Sequence, residues 1–262
     1  MLKWKDIWFR MCSYAGFYLR SGNTKGYGVH SPYLFYIARA ILPETGRYYC
    51  YDEIESLRTE LLRSREEVGV RDYGVGGELR RVSKIARRAL KPMREAQVLF
   101  RLVNMLKAKT IVELGTSLGV TTAYLASADS RAEVWTFEGS EALTDIAQRG
   151  WKKLGLHNIK VVQGNIDETL PLEEREWGVV DFAFMDANHR REATVHYFDL
   201  LARHAGEKSI FVVDDIRYNR EMWDAWCAIC GREYVTARMD LGSMGLVFFD
   251  THFPKQEFRI RL

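Results

Sequence analysis

A short apolar run followed by a glycine-rich turn, within residues 110–126, has the residue types needed to hold a small ligand. Residues 110–114 are mainly apolar and rich in β-branched side chains, which favours a buried strand, and the residues after Gly119 favour a helix. Gly115 and Gly119 let the backbone approach a ligand closely, and the first N–H groups of the helix point into the same space. The segment therefore predicts a ligand site between a strand and a helix.

One interpretation of this turn is hydrolytic. Gly115-x-Ser117-x-Gly119 matches the nucleophile elbow of hydrolases. Asp186 or Asp214, followed by His252, would complete the order serine, acid, histidine. A serine hydrolase is therefore one hypothesis for this chain.

A nucleotide site explains more of the residues. The run 133–137 predicts a second strand that ends at Glu138, where an acid can accept hydrogen bonds from both hydroxyls of a ribose. Glu113 stands two residues before the first glycine. The spacing does not fit G-x-G-x-x-G and no Walker lysine follows Gly119, which disfavours a nicotinamide cofactor and ATP.

The run from Glu113 to Gly119 resembles the first motif of the class I methyltransferases that use S-adenosylmethionine. The resemblance covers residues 110–250 and implies that Thr121 lies near the cofactor carboxylate, Glu138 on the ribose, and Asn165 and Ile166 beside the adenine. The positions that it implies for cofactor binding are Glu113, Gly115, Thr116, Ser117, Gly119, Thr121, Glu138, Gly139, Ser140, Gly164, Asn165, Ile166 and Asp186.

Acids follow two later predicted strands. Asp186, Asp214 and Asp215 come directly after apolar runs, so we expect all three carboxylates to converge beside the cofactor turn. Such a cluster repels itself unless a cation or protons compensate it, and hard oxygen ligands suit Mg²⁺. The cluster therefore predicts a divalent metal site.

These acids are similar in position to the metal ligands of cation-dependent O-methyltransferases, such as the catechol and sugar O-methyltransferases. The resemblance implies that Asp186, Asp214 and Asp215 bind the metal and that Asp186 and His189 are catalytic. His189, three residues after Asp186, corresponds to the lysine or histidine that removes the proton of the acceptor hydroxyl. A histidine in place of the catechol enzyme's lysine disfavours a catechol acceptor.

The order of elements predicts an α/β fold. Strands alternate with helices after residue 110, which indicates a Rossmann-like, doubly wound sheet of seven mostly parallel strands. Residues 234–238 and 245–249 predict an antiparallel C-terminal hairpin. We expect an N-terminal helical or lid region at 1–91, with a glycine-rich flexible linker at 68–78, and an S-adenosylmethionine-binding domain at 92–262.

Composition limits the class of protein. The 262 residues are 47% hydrophobic and 28% charged with a net charge of +3, which is typical of a globular chain. The four scattered cysteines, the charged N-terminus and the lack of a membrane-length apolar run predict a cytoplasmic protein. Cys227-x-x-Cys230 predicts two buried helix residues rather than a zinc or redox site.

The N-terminal region allows several partners. Apolar residues at helical spacing over 4–18 predict a helix that packs on its own domain, on a second copy in a homodimer, or on a lipid surface. Ser31-Pro32 predicts the start of another helix, which makes His30 a loop residue. Residues 58–94 carry eleven Lys/Arg against five Asp/Glu, but no RNA-binding module accompanies them, so nucleic acid is disfavoured.

The sequence therefore predicts methyl transfer from S-adenosylmethionine to a hydroxyl of a small molecule, assisted by Mg²⁺ or another divalent cation. The alternatives are the serine hydrolase and an RNA methyltransferase.

Overall fold

The structure, a computed structural model, describes residues 4–22, 29, 31–72, 75–252 and 255–262. The helices are α1 (Trp4–Arg20), α2 (Pro32–Tyr36) with a π-helical turn (Ile37–Ile41), α3 (Tyr51–Arg63), α4 (Val82–Ala89), α5 (Met93–Leu106), α6 (Val120–Ala128), α7 (Glu141–Lys153), α8 (Ile166–Glu173) with a 3₁₀ turn (Glu174–Glu176), α9 (Arg191–Ala202) and α10 (Arg220–Cys230). The strands are β1 (Glu67–Asp72), β2 (Val75–Arg81), β3 (Thr110–Leu114), β4 (Glu133–Glu138), β5 (Ile159–Gln163), β6 (Val180–Met185), β7 (Ala205–Val213), β8 (Ala237–Asp240), β9 (Gly245–Phe248) and β10 (Gln256–Arg259).

The chain divides into two compact units, residues 46–176 and residues 1–45 with 177–262. The predicted boundary at residues 91 and 92 stays a prediction. The strands β3 to β10 belong to one eight-stranded, mostly parallel sheet, which confirms the predicted α/β fold class.

In the unit 46–176, β3, β4 and β5 run parallel, with Glu113 opposite Thr136 and Glu138 opposite Gln163. The apolar residues of β3 and β4 are buried, as expected for parallel strands covered on both faces. A cluster of buried side chains from α3, α5, α6 and α7 packs around Tyr124 and Trp151. Parallel strands place their carboxyl ends at one edge, so the loops that follow β3, β4 and β5 lie together.

In the other unit, the strand order is β10, β8, β9, β7, β6. The strand β6 is parallel to β7, whereas β9 is antiparallel to both β7 and β8, which confirms the predicted C-terminal hairpin. The strand β10 adds one further strand, parallel to β8, that the sequence analysis did not predict. Ser31 accepts a hydrogen bond from the Leu34 N–H at the start of α2, as predicted. His30 lies outside the described residues.

The glycine-rich segment 68–78 was wrongly predicted as a flexible linker. Its described part contributes to an antiparallel pair in which Glu67 lies opposite Arg81 and Val70 opposite Glu78. An ion pair of 3.0 Å between the Arg81 and Glu67 side chains joins the two strands at their open end. The segment is therefore a β-hairpin.

The structure bears on two expectations from composition, the role of the α10 cysteines and the lack of a membrane-spanning segment. Cys227 and Cys230 both lie on α10 as free cysteines; Cys230 is buried as predicted, whereas Cys227 is exposed. Partial desolvation raises the pKa of both thiols. A raised pKa disfavours the thiolate that redox and metal chemistry require. Within the described part of the chain, every helix is too short or too polar to cross a membrane.

Candidate cofactor and metal sites

The turn after β3 is bent by three residues with positive φ. Gly115, Ser117 and Gly119 have φ values of 100°, 50° and 73°. The N–H groups of Gly115 and Thr116 both donate to the Phe137 carbonyl, at 3.0 and 3.2 Å. Gly119 precedes α6 without a side-chain cap, so the first N–H groups of this helix can bind an anionic group.

Glu138 joins the first turn to the second. Its two carboxylate oxygens accept hydrogen bonds from the Ser117 N–H at 2.8 Å and the Ser140 N–H at 2.9 Å. Its backbone carbonyl accepts a third, at 2.9 Å, from the N–H of Gly164. The half-buried Glu138 thus holds the loops after β3, β4 and β5 together. Its position at the end of β4 is the one predicted for contact with a ribose.

Glu113 supports the turn from inside the protein. Its side chain is fully buried, and its Oε2 atom accepts hydrogen bonds from the hydroxyls of Thr122 (2.5 Å) and Thr136 (2.6 Å). Thr136 in turn lies 2.6 Å from the hydroxyl of Thr116 in the turn. Burial raises the pKa of Glu113 to about 7, against the opposing effect of the two hydroxyls. Because no part of Glu113 is exposed, it stabilises the turn through the threonines.

The third loop begins at Gly164, whose φ of 140° favours glycine. Asn165 caps α8, with its side-chain oxygen accepting a hydrogen bond from the Asp167 N–H at 3.2 Å. Ile166 is half-buried at the start of α8. In the first helical turn of α6, Thr121 is also half-buried. The residues 115–121, 138–140 and 164–166 therefore present partly exposed groups from three adjoining loops.

These groups fit an amphipathic nucleoside such as S-adenosylmethionine. The start of α6 suits a carboxylate, the Glu138 carboxylate suits ribose hydroxyls, and Ile166 suits an apolar ring. Ser140, at the start of α7, has a buried hydroxyl without a hydrogen-bond partner among the described residues.

The acids of the other unit form a cluster with a histidine. His189 Nε2 lies 3.9 Å from the nearest Asp186 oxygen and 3.6 Å from the nearest Asp215 oxygen. One potential ligand atom from each of the three residues lies within 4.8 Å of the other two, and all three side chains are half-buried. This set of two carboxylates and an imidazole suits a divalent cation.

Two backbone features shape this cluster. Asp186 directly follows β6, and the Asp214 N–H donates to the Met185 carbonyl at 2.9 Å. Asp215 then takes a left-handed conformation with φ of 51°. Asp214 itself is 5% exposed and is not a member of the potential ligand group found among the described residues. The structure thus brings together two of the three predicted metal ligands and adds His189.

Tyr218 adjoins His189, and Arg10 in turn adjoins Tyr218; neither residue was predicted from the sequence. The rings of His189 and Tyr218 lie 4.9 Å apart, and the Arg10 guanidinium lies 5.6 Å from the Tyr218 ring. The Nδ1 atom of His189 is buried without a hydrogen-bond partner in the described part of the chain. Nothing in the spacing of Arg10 and Tyr218 along the sequence indicates that they meet.

The hydrolase alternative is not favoured. The His252 ring pairs with Asp250 at 2.9 Å, rather than with the proposed acids Asp186 and Asp214, and it is exposed. The Ser117 N–H donates to the carboxylate of Glu138 at the end of β4.

Comparison with known proteins agrees with this interpretation. Residues 112–216 match the family model described as a methyltransferase domain. No curated protein matches the chain in sequence.

Several solved structures share the fold. An O-methyltransferase from Bacillus cereus in complex with SAH is 18% identical, with a TM-score of 0.58, over 81% of this chain and 95% of that one. The O-methyltransferase TomG from Streptomyces achromogenes, in complex with SAM, is 15% identical, with a TM-score of 0.59, over 82% and 94%. SAH-bound Podospora anserina methyltransferase PaMTH1 is 15% identical, with a TM-score of 0.58, over 79% and 90%.

The glycine turn, the acid after β4, the parallel sheet and the matched domain lead to one conclusion. Residues 112–216 match a methyltransferase domain, and the chain has the fold of O-methyltransferases whose structures hold SAM or SAH.

Proposed function

We propose that this enzyme methylates a hydroxyl group of a small molecule, with His189 as the general base and Asp186 and Asp215 as ligands of a divalent cation, Mg²⁺ in the first instance. The observation that carries the proposal is the position of His189 Nε2, 3.9 Å from Asp186 and 3.6 Å from Asp215. An imidazole that accepts a proton there gains a positive charge, which the two carboxylates stabilise.

The donor set supports a cation. Carboxylate oxygens are hard ligands, and the three ligand atoms are close enough for one ion to contact them all. A bound divalent ion lowers the pKa of a hydroxyl that coordinates it. Asp214 was also predicted as a ligand, but its burial makes Asp215 the better candidate of the two.

The surroundings of His189 support its role as a base. The Tyr218 ring packs against the imidazole at 4.9 Å and restricts its orientation. The half-buried state of Asp186, His189 and Asp215 leaves room for an acceptor to reach Nε2 from solvent. Two of the similar structures are O-methyltransferases, which supports oxygen as the acceptor atom.

Three experiments test this proposal. The first is calorimetry with S-adenosylmethionine, NAD and ATP, each with and without Mg²⁺. We expect S-adenosylmethionine to bind and NAD and ATP not to bind. Heat of binding from NAD or ATP and none from S-adenosylmethionine would overturn the cofactor assignment.

In the second, formation of S-adenosylhomocysteine is followed with sugars, catechols, other hydroxylated small molecules and bulk RNA as acceptors. On the acceptor that gives turnover, His189→Asn should lower kcat by about 10²–10⁴-fold, the usual contribution of a general base. His157→Asn, at an exposed histidine in a loop, is the matched control and should keep full activity.

The metal is tested on the same acceptor. Asp215→Asn should weaken activation by Mg²⁺ without changing the affinity for S-adenosylmethionine. Full activity in EDTA would remove the metal from the proposal, and turnover on RNA alone would replace the small-molecule acceptor.

A further inference from the structure

One side of α1 packs on the turn that follows β7. Arg10, Tyr14 and Phe17 are spaced by four and three positions, so they fall on the same side of the helix. Phe17 is 3% exposed, and the Arg217 guanidinium lies 4.8 Å from its ring and 5.9 Å from that of Tyr14. One turn earlier in the helix, the Arg10 guanidinium lies 5.6 Å from the Tyr218 ring. Arg10 therefore points along this inner side toward Tyr218.

The turn that carries Tyr218 is anchored beside His189. The Tyr218 N–H donates to the Asp215 carbonyl at 2.8 Å, which closes a tight turn between these two residues. Between them, the Arg217 side chain is 2% exposed and donates to both carboxylate oxygens of Asp240, at 2.6 and 2.5 Å. The Tyr218 ring lies 4.9 Å from the His189 ring. The turn thus fixes an aromatic wall next to the proposed base.

Arg10, Tyr218 and His189 form one continuous, partly exposed surface. The Tyr218 ring contacts the imidazole on one side and the guanidinium on the other. All three side chains are half-buried, so a ligand that enters from solvent can contact them together. These two contacts limit the separation of the imidazole and the guanidinium to a length that one small molecule can bridge.

The charge of Arg10 is available to a ligand. In the described part of the chain its guanidinium makes no ion pair with a carboxylate, and it contacts the Tyr218 ring. An aromatic ring attracts a guanidinium but leaves its N–H donors free to bind an anion. Because a half-buried cation is partly removed from water, an anionic oxygen group that hydrogen-bonds to it replaces the lost solvation.

The acids beside His189 do not oppose such a ligand once a cation is bound. Asp186 and Asp215 carry two negative charges, which would repel an anion that approached alone. In the proposed function a divalent cation occupies this cluster and balances both charges. Arg10 is then the positive group that an acceptor meets next to Tyr218.

We propose that the acceptor carries an anionic oxygen group, a carboxylate or a phosphate, besides the hydroxyl that is methylated, and that Arg10 binds this group. The inference rests on the proposed function for the position of the hydroxyl at His189. A planar guanidinium holds either group through two parallel N–H donors. Arg10 is therefore a specificity-determining residue that selects hydroxy acids or phosphorylated alcohols over their neutral analogues.

Binding of matched probes tests the proposal without requiring turnover. Calorimetry on protein saturated with S-adenosylhomocysteine and Mg²⁺ compares para-hydroxybenzoate with para-hydroxybenzyl alcohol, and glucose-6-phosphate with glucose. In at least one pair, wild type should bind the anionic member about tenfold or more tightly than the neutral one, the usual effect of a hydrogen bond between charged groups. The pair that shows this preference distinguishes a carboxylate from a phosphate.

Variants of α1 assign the preference to one side chain. Arg10→Gln should weaken binding of the preferred anion by about tenfold or more and leave binding of its neutral partner unchanged. Arg10→Lys keeps the charge and should keep part of the preference. Arg20→Gln, at an exposed arginine at the end of the same helix, is the matched control and should bind both probes like wild type. Circular dichroism and the affinity for S-adenosylmethionine confirm that each variant is folded.

Three outcomes would overturn the proposal. The first is wild type that binds no anionic probe more tightly than its neutral partner. The second is a preference for the anion that persists in Arg10→Gln, which would assign the anionic group to the metal ion. The third is an equal loss for both members of a pair in Arg10→Gln, which would make Arg10 a packing residue. Anionic probes that bind through Arg10 but are never methylated would support the anion site and contradict the hydroxyl acceptor of the proposed function.

Discussion

The variant Gly119→Ala tests why a glycine ends the cofactor turn: its left-handed backbone conformation, its close packing against α7, or both. The φ of Gly119 is +73°, and an added Cβ would lie 2.7 Å from the Ala147 Cβ and 2.8 Å from the Trp151 ring. Trp151 cannot easily move, because its Nε1 donates to the Gly119 carbonyl at 2.8 Å. Gly155 is the matched control: its φ is +67°, and nothing lies within 4 Å of an added Cβ.

The left-handed conformation costs about 1–2 kcal/mol for a residue with a Cβ, and this cost is common to both positions. Overpacking against α7 adds about 1–3 kcal/mol at Gly119 alone. In urea denaturation, Gly119→Ala should therefore lower the free energy of unfolding by about 1–3 kcal/mol more than Gly155→Ala. It should also weaken S-adenosylmethionine binding, since the turn and the start of α6 shift together. Equal losses at the two glycines would refute the packing argument.

Three further changes give expected outcomes. Glu138→Ala removes the acceptor of the Ser117 and Ser140 N–H groups, so calorimetry should detect a loss of cofactor affinity of about 1.5–3 kcal/mol or more. Burial raises the pKa of Glu113 from 4.5 to about 7, so the folded state holds its proton more tightly than the unfolded state. This contribution is complete below about pH 4.5 and is lost as the pH rises to about 7, at a cost of roughly 3 kcal/mol. Urea denaturation at about pH 5 and pH 8 should find that difference reduced in Glu113→Gln, and an unchanged difference would contradict the assignment. Asp240→Asn leaves the buried Arg217 without its carboxylate and should lower the free energy of unfolding by about 3–5 kcal/mol. Asp52→Asn, in an exposed pair with Arg47, is its control and should cost less than about 1 kcal/mol.

The cofactor turn could be predicted because its chemistry is local. A strand, two glycines and a helix lie within residues 110–126, and the acid at Glu138 ends the next strand. The alternation of strands and helices then places both at the same edge of a parallel sheet. The participation of Thr122 and Thr136 with Glu113 could not be predicted, because these contacts depend on which way each side chain turns in the folded core.

Three strands were missed because their sequences lack a strand pattern. The hairpin at 67–81 carries glycines and charges that are typical of a loop, and its pairing depends on two segments meeting rather than on apolar alternation. The strand β10 contains Gln256, Glu257 and Arg259, since it is the last strand in the order of its sheet and part of it faces solvent. Edge positions tolerate polar side chains, which removes the periodicity on which the prediction rests.

The sequence also could not decide which of Asp214 and Asp215 belongs to the proposed metal site. Both follow the apolar end of β7, and adjacent residues of an extended chain point to opposite sides. Asp214 continues the strand pairing through its N–H and is buried, whereas Asp215 leaves the extended conformation at φ 51° and turns its carboxylate toward His189. The sequence can therefore locate a pair of acids at the sheet edge, but the residue at which the strand ends decides which of them faces the histidine.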